Sequence, residues 1–526
     1  TDWNGNTTTW EYDALNRVTS EEDALSQLIH YDEYDLNNNL LATRDKRNIE
    51  TRYQYDREDR QTRVERAGIQ ILRKEYDEVG NPLLEEDAEG NKTAWEYDGR
   101  NQVLVESGEL AAITRFQYDP MGNRTYQRDP EGRETFSVYD KRNRLESVTN
   151  GENETTSYSY DLNGNRTGEE KPKGNSTTYV YDALNRLDEI HDYLGGITDY
   201  EYDRDNNLVG QVDAEQHRTQ YEYDALNRRT AIEYPETSRV EYTEYDGNGN
   251  LKAMTDANGV SVSYDYDALN RETERHYSRP QISSSADIQQ IVSTYDANNN
   301  RLNTTERYYD GLRTDIVTSY TYDDFDRQLT KTDSFGRTLG YAYDNNGNRT
   351  RLTDPDGKHT VYVYDKLNRL HQAQAEGGTT TYSYDRSSLI KRVSYPNNTE
   401  TRYSYDSASR TESIEHTQNG GLVSRFEYDY DDNGNRTEQR ETNGNGEETT
   451  TYGYDDLDRL ETVTYPDVPT GSGHTVTYDY DGNYNRTSEE AVNSTSGQTQ
   501  KDRTYAYNER NQLTDITDHL DAANNV

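Results

Sequence analysis

The chain contains no cysteine, so it can build neither a disulfide framework nor a thiolate metal site. Large apolar residues are scarce as well. Only 30% of the 526 residues are hydrophobic, and 49 are Tyr, against 5 Phe, 3 Trp and 2 Met. No apolar run reaches the length of a membrane-crossing helix, so no membrane insertion is expected. Lysine is the rarer base, 12 against 45 Arg, and the net charge is -43. A field of that sign repels DNA, RNA and anionic lipid, favours solubility and tolerance of salt, and attracts cations. At a mean hydropathy of -1.28, composition alone reads as disorder, and length alone suggests three or four domains.

A repeat overrules both readings. Tyr-Asp pairs begin at Tyr12, Tyr34, Tyr55 and Tyr76 and continue to Tyr480, and a Tyr-Asn variant at Tyr507 makes 23 anchors. Thirteen of the 22 intervals are 21 residues, nine of them in succession from Tyr34 to Tyr223. In 18 of the 23 repeats another aromatic stands two residues earlier, as at Trp95, Tyr158 and Tyr179. Two residues apart is one face of a strand, and Thr, Val and Ser fill the positions between. Asn, Asp and Gly follow each anchor, and a second turn such as Asp354-Pro355-Asp356-Gly357 closes the repeat. Each repeat therefore holds two strands and two turns.

The repeats also alternate. Odd ones read Tyr-Asp-x-Leu-Asn-Arg, as at Tyr181–Arg186, and ten of twelve carry that Arg, with Gln102 and Gln512 the exceptions. Even ones read Tyr-Asp-x-x-Gly-Asn, as at Tyr160–Asn165, and ten of eleven carry that Asn, with Leu389 the exception. The period is thus a pair of hairpins, about 42 residues. Duplication of a 42-residue genetic unit would explain this without structural demand. The favoured explanation is that alternate hairpins meet different neighbours, one turn burying a Leu–Arg pair and the other exposing a tight Gly-Asn turn. Arg144, Arg186 and Arg228 should then lie over carboxylates or rings. Asn123, Asn165 and Asn207 should sit in tight turns with positive φ near the preceding Gly.

One aromatic face cannot be buried by a single repeat, so neighbours must stack. The expected fold is all-β, a long spiralling sheet of hairpins closing as a hollow shell, tube or solenoid. Anchors such as Tyr118, Tyr139 and Tyr160 are expected to stack on one another as ladders. About 46 strands at ~4.8 Å would make a strip of roughly 220 Å, which must coil because strands twist. Residues 1–526 read as one continuous array. Neither end shows a polar cap, which suggests an interior slice of a longer protein.

The motif Tyr-Asp-x-x-Gly/Asn-Asn/Arg on a grid near 21 closely resembles the YD repeats of bacterial Rhs proteins, Tc-toxin C components and the teneurin shell. That resemblance covers essentially the whole chain. It implies a spiralling hairpin strip forming a hollow barrel, which in bacterial members encloses a toxic C-terminal domain and in teneurins serves adhesion. The residues here include neither the Asp-Pro-x-Gly signature that ends the Rhs core nor a variable toxin domain. Asp354–Gly357 matches part of the signature but lies mid-array, where it is a turn.

The function expected is a structural scaffold of a large secreted or surface protein, a β-shell that encloses or delivers a toxin. The alternative is an extracellular fibre or adhesin whose repeats give length, stiffness and cell attachment. An enzyme is not expected. No residue is singled out as catalytic, cofactor-binding or metal-binding, and no cofactor is implied. The nine His are scattered, and Asp161–Asn165 and Asp431–Asn435 lack the spacing of a calcium loop, leaving ordinary Asx turns. Sequons at Asn123, Asn165, Asn348, Asn435 and Asn485 fall on the Gly-Asn turn, where a glycan could fit. Expected partners are flanking repeats, an enclosed toxin domain, a cell-surface partner or further copies of the chain. Ser278–Ile291, an irregular segment, is the first place to seek a specific contact.

Overall fold

A computed structural model describes residues 1–279, 288–308, 314–466 and 473–520. Pro280 and the run Ser283-Ser284-Ser285 lie outside these. The fold is all-β, and the described residues form 46 strands of one antiparallel sheet. Among the described residues the single helical element is a 3-10 turn at Glu109–Ala111.

The repeat at Tyr160 illustrates the unit. Strand Thr155–Tyr160 ends on the anchor and Arg166–Glu170 returns beside it, with Tyr158 opposite Glu169. The returning strand then pairs with Ser176–Tyr181 of the next repeat. Alternation of Thr, Ser and Tyr suits a pleated surface with both faces partly wet. At hairpins of this kind the register slips by one residue just before the anchor, as between Ser159 and Tyr160 and between Val180 and Tyr181.

The slip is dictated by the turn. Asp161 N–H donates to the Asn165 carbonyl and Gly164 N–H to the Asp161 carbonyl, while Gly164 takes φ +100°. This is a type I turn closed by one left-handed residue, a standard bulged hairpin loop. The Asp fixes it from inside, since Asp161 Oδ1 accepts the N–H groups of Asn163 and Asn165 at 2.9 Å each. The same wiring recurs at the opposite edge, in what we call the return turns: Gly132 N–H donates to Asp129, and Asp129 N–H to Arg133.

The anchor tyrosine is tied to the preceding hairpin. Tyr160 donates its hydroxyl to the Leu145 carbonyl at 2.8 Å, and Tyr76, Tyr97, Tyr202, Tyr266 and Tyr343 repeat the bond to the equivalent carbonyl. A phenol is needed there because Phe would leave that carbonyl without this donor. The apolar interior is thin, with Ala231, Val393 and Val463 among its few buried members. The accessible surface is 29923 Å², where a compact monomer of this mass would expose about 20,000 Å². No helix among the described residues is long and apolar enough to cross a membrane.

The contacts group into two compact units, each made of two distant segments. The first joins Thr1–Ile113 with Arg239–Thr381, and the second joins Thr114–Ser238 with Tyr382–Val526.

Candidate functional site: the two turn edges

Odd and even turns share one backbone. The left-handed residue precedes Arg in one class (Asn143 φ 62°, Asn185 φ 61°) and Asn in the other (Gly122 φ 96°, Asn206 φ 69°). The positive φ expected around Asn123, Asn165 and Asn207 thus falls on the residue before each of them. What differs is the outward coupling.

In odd turns the Arg folds back and reaches forward at once. Arg186 Nε donates to Asp182 Oδ2 at 2.7 Å, Nη1 donates to the Asp203 carbonyl of the next anchor at 2.9 Å, and the guanidinium lies 4.6 Å from the Tyr202 ring centre. Arg144 does the same toward Asp161 and Tyr160, and Arg17 toward Asp35 and Tyr34. Only a planar fork can bond in two directions and stack on a ring together. In even turns the Asn amide makes the forward link: Asn165 Nδ2 donates to Asp161 Oδ2 at 2.8 Å and to Asn185 Oδ1 at 3.0 Å. Asn123 and Asn207 repeat it with Asn143 and Asn227. The couplings alternate Arg, Asn, Arg, Asn along the edge.

Three expectations need correction. Leu184 and Leu226 are not buried with their arginines but stand 64% and 72% exposed. Over even-numbered anchor rings such as Tyr160 and Tyr202 it is a guanidinium from the preceding odd turn that stacks, not a neighbouring tyrosine; ring pairs form elsewhere, as at Tyr126–Phe136. The sequon turns are also less free than their composition suggests, because both amide hydrogens of Asn165 are already donated. The Arg of that triplet has its own role, since Arg166 lies between the rings of Tyr158 and Tyr179, at 5.6 and 5.0 Å.

The anchor carboxylates are stabilised as anions. The Asn123 side chain holds the Asp119 carboxyl below its ordinary range, the Arg144 backbone and side chain do so for Asp140, and the Arg228 side chain for Asp224.

Within each unit the return turns of the earlier segment dock on the anchor turns of the later one. In the first unit Glu89 Oε1 accepts the N–H of Asn345 at 2.8 Å and Asp87 Oδ2 accepts Asn346 Nδ2 at 2.7 Å. In the second, Glu131 accepts the N–H of Arg386 at 2.8 Å and Asp129 accepts the Ser387 hydroxyl at 2.7 Å. Glu152 likewise takes Ser407 N–H, and Glu215 takes Gly482 N–H. Two turn loops at this distance leave no room for bulk: a Cβ on Gly151 would lie 2.2 Å from the Ser407 carbonyl oxygen. Also in the second unit, Tyr484 donates to Asp192 at 2.8 Å, and burial, reinforced by that carboxylate, pushes its phenol up to about 12. Sequence reasoning missed this seam because its partners are more than 240 residues apart; the recurring Asp-x-Glu of return turns was its one trace.

A second cluster was also invisible in sequence. Asp265 faces Glu274 across paired strands, with His276 two residues on, and their ligand atoms lie within 4.8 Å of one another. Lys252 already donates to Asp265 at 2.8 Å and Gln290 to Glu274 at 2.7 Å. In Asp161 and Asp431 the carboxylates likewise face donors of their own turns.

Comparison with known proteins completes the description. The family model described as RHS Repeat matches residues 139–175, 202–239, 245–280, 322–361 and 430–467. No curated protein matches the chain by sequence. Among solved structures, the Tc holotoxin pore of Photorhabdus luminescens is similar at TM-score 0.79 and 14% identity, over 96% of this chain and 35% of that one. The TcdB2-TccC3-TEV crystal structure gives 0.72 at 14%, over 96% and 35%, and TcdB2-TccC3-Cdc42 gives 0.71 at 13%, over 97% and 37%. The chain thus spans about a third of the solved chains it matches, and the likeness is one of fold.

Proposed function

We propose that this chain, an RHS-repeat protein, forms part of the wall of a β-shell that encloses or delivers a toxin cargo. The observation that carries this reading is the seam. Hairpin tiers joined turn to turn make a broad wall from a chain too poor in aliphatics to fill a core. Fold likeness to Tc-toxin structures supports it over nearly the whole chain. In this reading the chain performs no chemistry itself. It works outside the cell or on its surface, where the net charge of -43 keeps a large sheet soluble and away from nucleic acid. Its partners are flanking repeats and the enclosed domain.

The test uses the complete gene product that contains these residues. A cargo domain that resists protease until denaturant opens the wall supports a shell. Cargo cut as fast as the same domain alone, or a product made only of further repeats, turns the assignment to the alternative of a fibre or adhesin with a cell-surface partner.

A further inference from the structure

The cluster of Asp265, Glu274 and His276 lies mid-array, on strands Ser261–Tyr266 and Glu272–Ser278, with a further strand paired on either side. Asp265 stands opposite Glu274, and His276 opposite Ser263. Positions two apart on a strand share a face, so two carboxylates and an imidazole project together. Among the described residues no other three such groups bring their ligand atoms within 4.8 Å of one another. Zinc holds nitrogen and oxygen at about 2.0–2.2 Å in a tetrahedron, which sets ligand atoms roughly 3.4 Å apart. His276 Nε2 and Glu274 Oε2, at 3.0 Å, are near that spacing already. Asp265 closes the rest by a side-chain rotation, since 55% of that side chain is exposed.

A neighbour outside the cluster points to a cation. Gln290, on strand Ile288–Tyr295, is fixed by Arg307, whose Nη1 donates to Gln290 Oε1 at 2.7 Å. The Gln290 amino group therefore faces Glu274 Oε2 at 2.7 Å and His276 Nε2 at 3.2 Å. A bare Nε2 accepts from Gln290 but sets its lone pair against the Glu274 carboxylate. A protonated Nε2 satisfies Glu274 and opposes the Gln290 N–H. Neither tautomer satisfies both contacts. A cation bound to bare Nε2 and to Oε2 removes the conflict, and Gln290 then orients Glu274 as outer partners of metal ligands do.

The chain supplies its own control. The odd repeats at Tyr181 and Tyr266 both carry a Glu-x-His, Glu189 with His191 and Glu274 with His276, at the same distance from the anchor. In the earlier hairpin Val180 stands opposite Glu189, where Glu274 has Asp265. That hairpin has the pair without the third ligand from its own anchor strand.

We propose that Asp265, Glu274 and His276 bind a divalent cation of the zinc class, with a fourth position left to solvent. The imidazole selects against magnesium and calcium, which prefer sites made of oxygen. Lys252 Nζ, 2.8 Å from Asp265, supplies positive charge in the metal-free chain. That pair is at the surface, where an ion pair adds little, so the metal displaces it. Binding ties the two strands side chain to side chain and stabilises the folded sheet, because the unfolded chain has no such site. The inference concerns this hairpin alone and stands whatever the array encloses.

The test is a calorimetric zinc titration of the full chain, stripped by chelator and held in a large excess of magnesium. The magnesium occupies the nonspecific carboxylate sites of an acidic surface. One zinc per chain is expected to bind and to raise the melting temperature. His276→Ala and Glu274→Gln should each lose the thermal gain and weaken binding at least the roughly 10-fold typical of a lost outer partner. Lys252→Met should tighten binding several-fold, a gain that no folding defect mimics, and His191→Ala should change nothing. The proposal is overturned if no zinc binds in excess magnesium or if His276→Ala binds as the parent does. It is equally overturned if Lys252→Met fails to tighten binding, or if His191→Ala weakens it as much as His276→Ala.

Discussion

The turns at Tyr160 and Tyr181 have the same backbone, the same internal Asp and the same left-handed residue, yet they grip their neighbours by different means. After Tyr160 the link forward is an amide, Asn165 to Asn185. After Tyr181 it is a guanidinium, Arg186 to Asp203 and the Tyr202 ring. Backbone chemistry sets the loop, and one side chain per loop sets the partner. Because each link joins unlike turns, the two classes must alternate.

Removing the shared element should have the largest effect. Tyr160→Ala empties the space under Arg144 and should destabilise its region by about 3 kcal/mol. Tyr160→Phe, which loses only the bond to Leu145, should give about 1 kcal/mol. Hydrogen exchange of strands Leu145–Thr149 and Thr155–Tyr160 would read both, and equal protection in the Ala variant and the parent would show that the anchor holds nothing.

Exchanging the turn sequences tests the difference itself. Placing Ala-Leu-Asn-Arg after Asp161 and Leu-Asn-Gly-Asn after Asp182 keeps composition but sets like turns side by side. Loss of two charge-assisted and two amide links should total about 2 kcal/mol, whereas a merely inherited pattern predicts a change within a few tenths. Thermal melting of parent and exchanged chains separates the two. A single Arg186→Lys is the milder version. The ammonium keeps charge but not the fork, so about 1 kcal/mol should be lost, mainly from stacking on Tyr202. A double-mutant cycle with Tyr202→Leu that shows no coupling would remove the ring from the account.

The smallest effect per site is the most widespread. Folded-state hydrogen bonds lower Asp119, Asp140 and Asp224 below the ordinary value, so the stability they add is complete above that value, about 3.9, and is lost as pH falls through the depressed ones. Acid titration followed by circular dichroism should therefore show a plateau down to about pH 4 and loss below it. Unfolding that begins near neutrality would point to other groups.

Much of this was legible in sequence for a physical reason. Short-range wiring repeats, and repetition exposes it: the two strands, the Asp turn, the positive-φ position and the alternation of Arg186-type and Asn165-type residues all follow from a window of about 42 residues. What escaped was either non-local or a matter of direction. The seam pairs Glu131 with Arg386, and no window shows that. The Leu of the odd motif was assigned to the interior because Leu usually is, whereas at Leu184 the turn aims it outward. Tyr-on-Tyr stacking failed because the guanidinium is the better-placed ring partner, bonded at once to Asp182 and Asp203.

The seam also restricts how such a chain can grow. The return turn after Tyr76, the fourth anchor, meets the turn of Tyr343, the sixteenth, and that after Tyr118, the sixth, meets Tyr384, the eighteenth. Each offset is twelve repeats, an even number, so these clasps join turns of like parity, while side contacts such as Arg133 to Asp406 reach the next turn along. Deleting or duplicating one 21-residue repeat would reverse that parity from the breakpoint onward, along the edge and across it together. Unequal crossing-over among these near-identical genetic units should therefore leave viable products only in whole pairs. On this account array length should change in steps of two repeats.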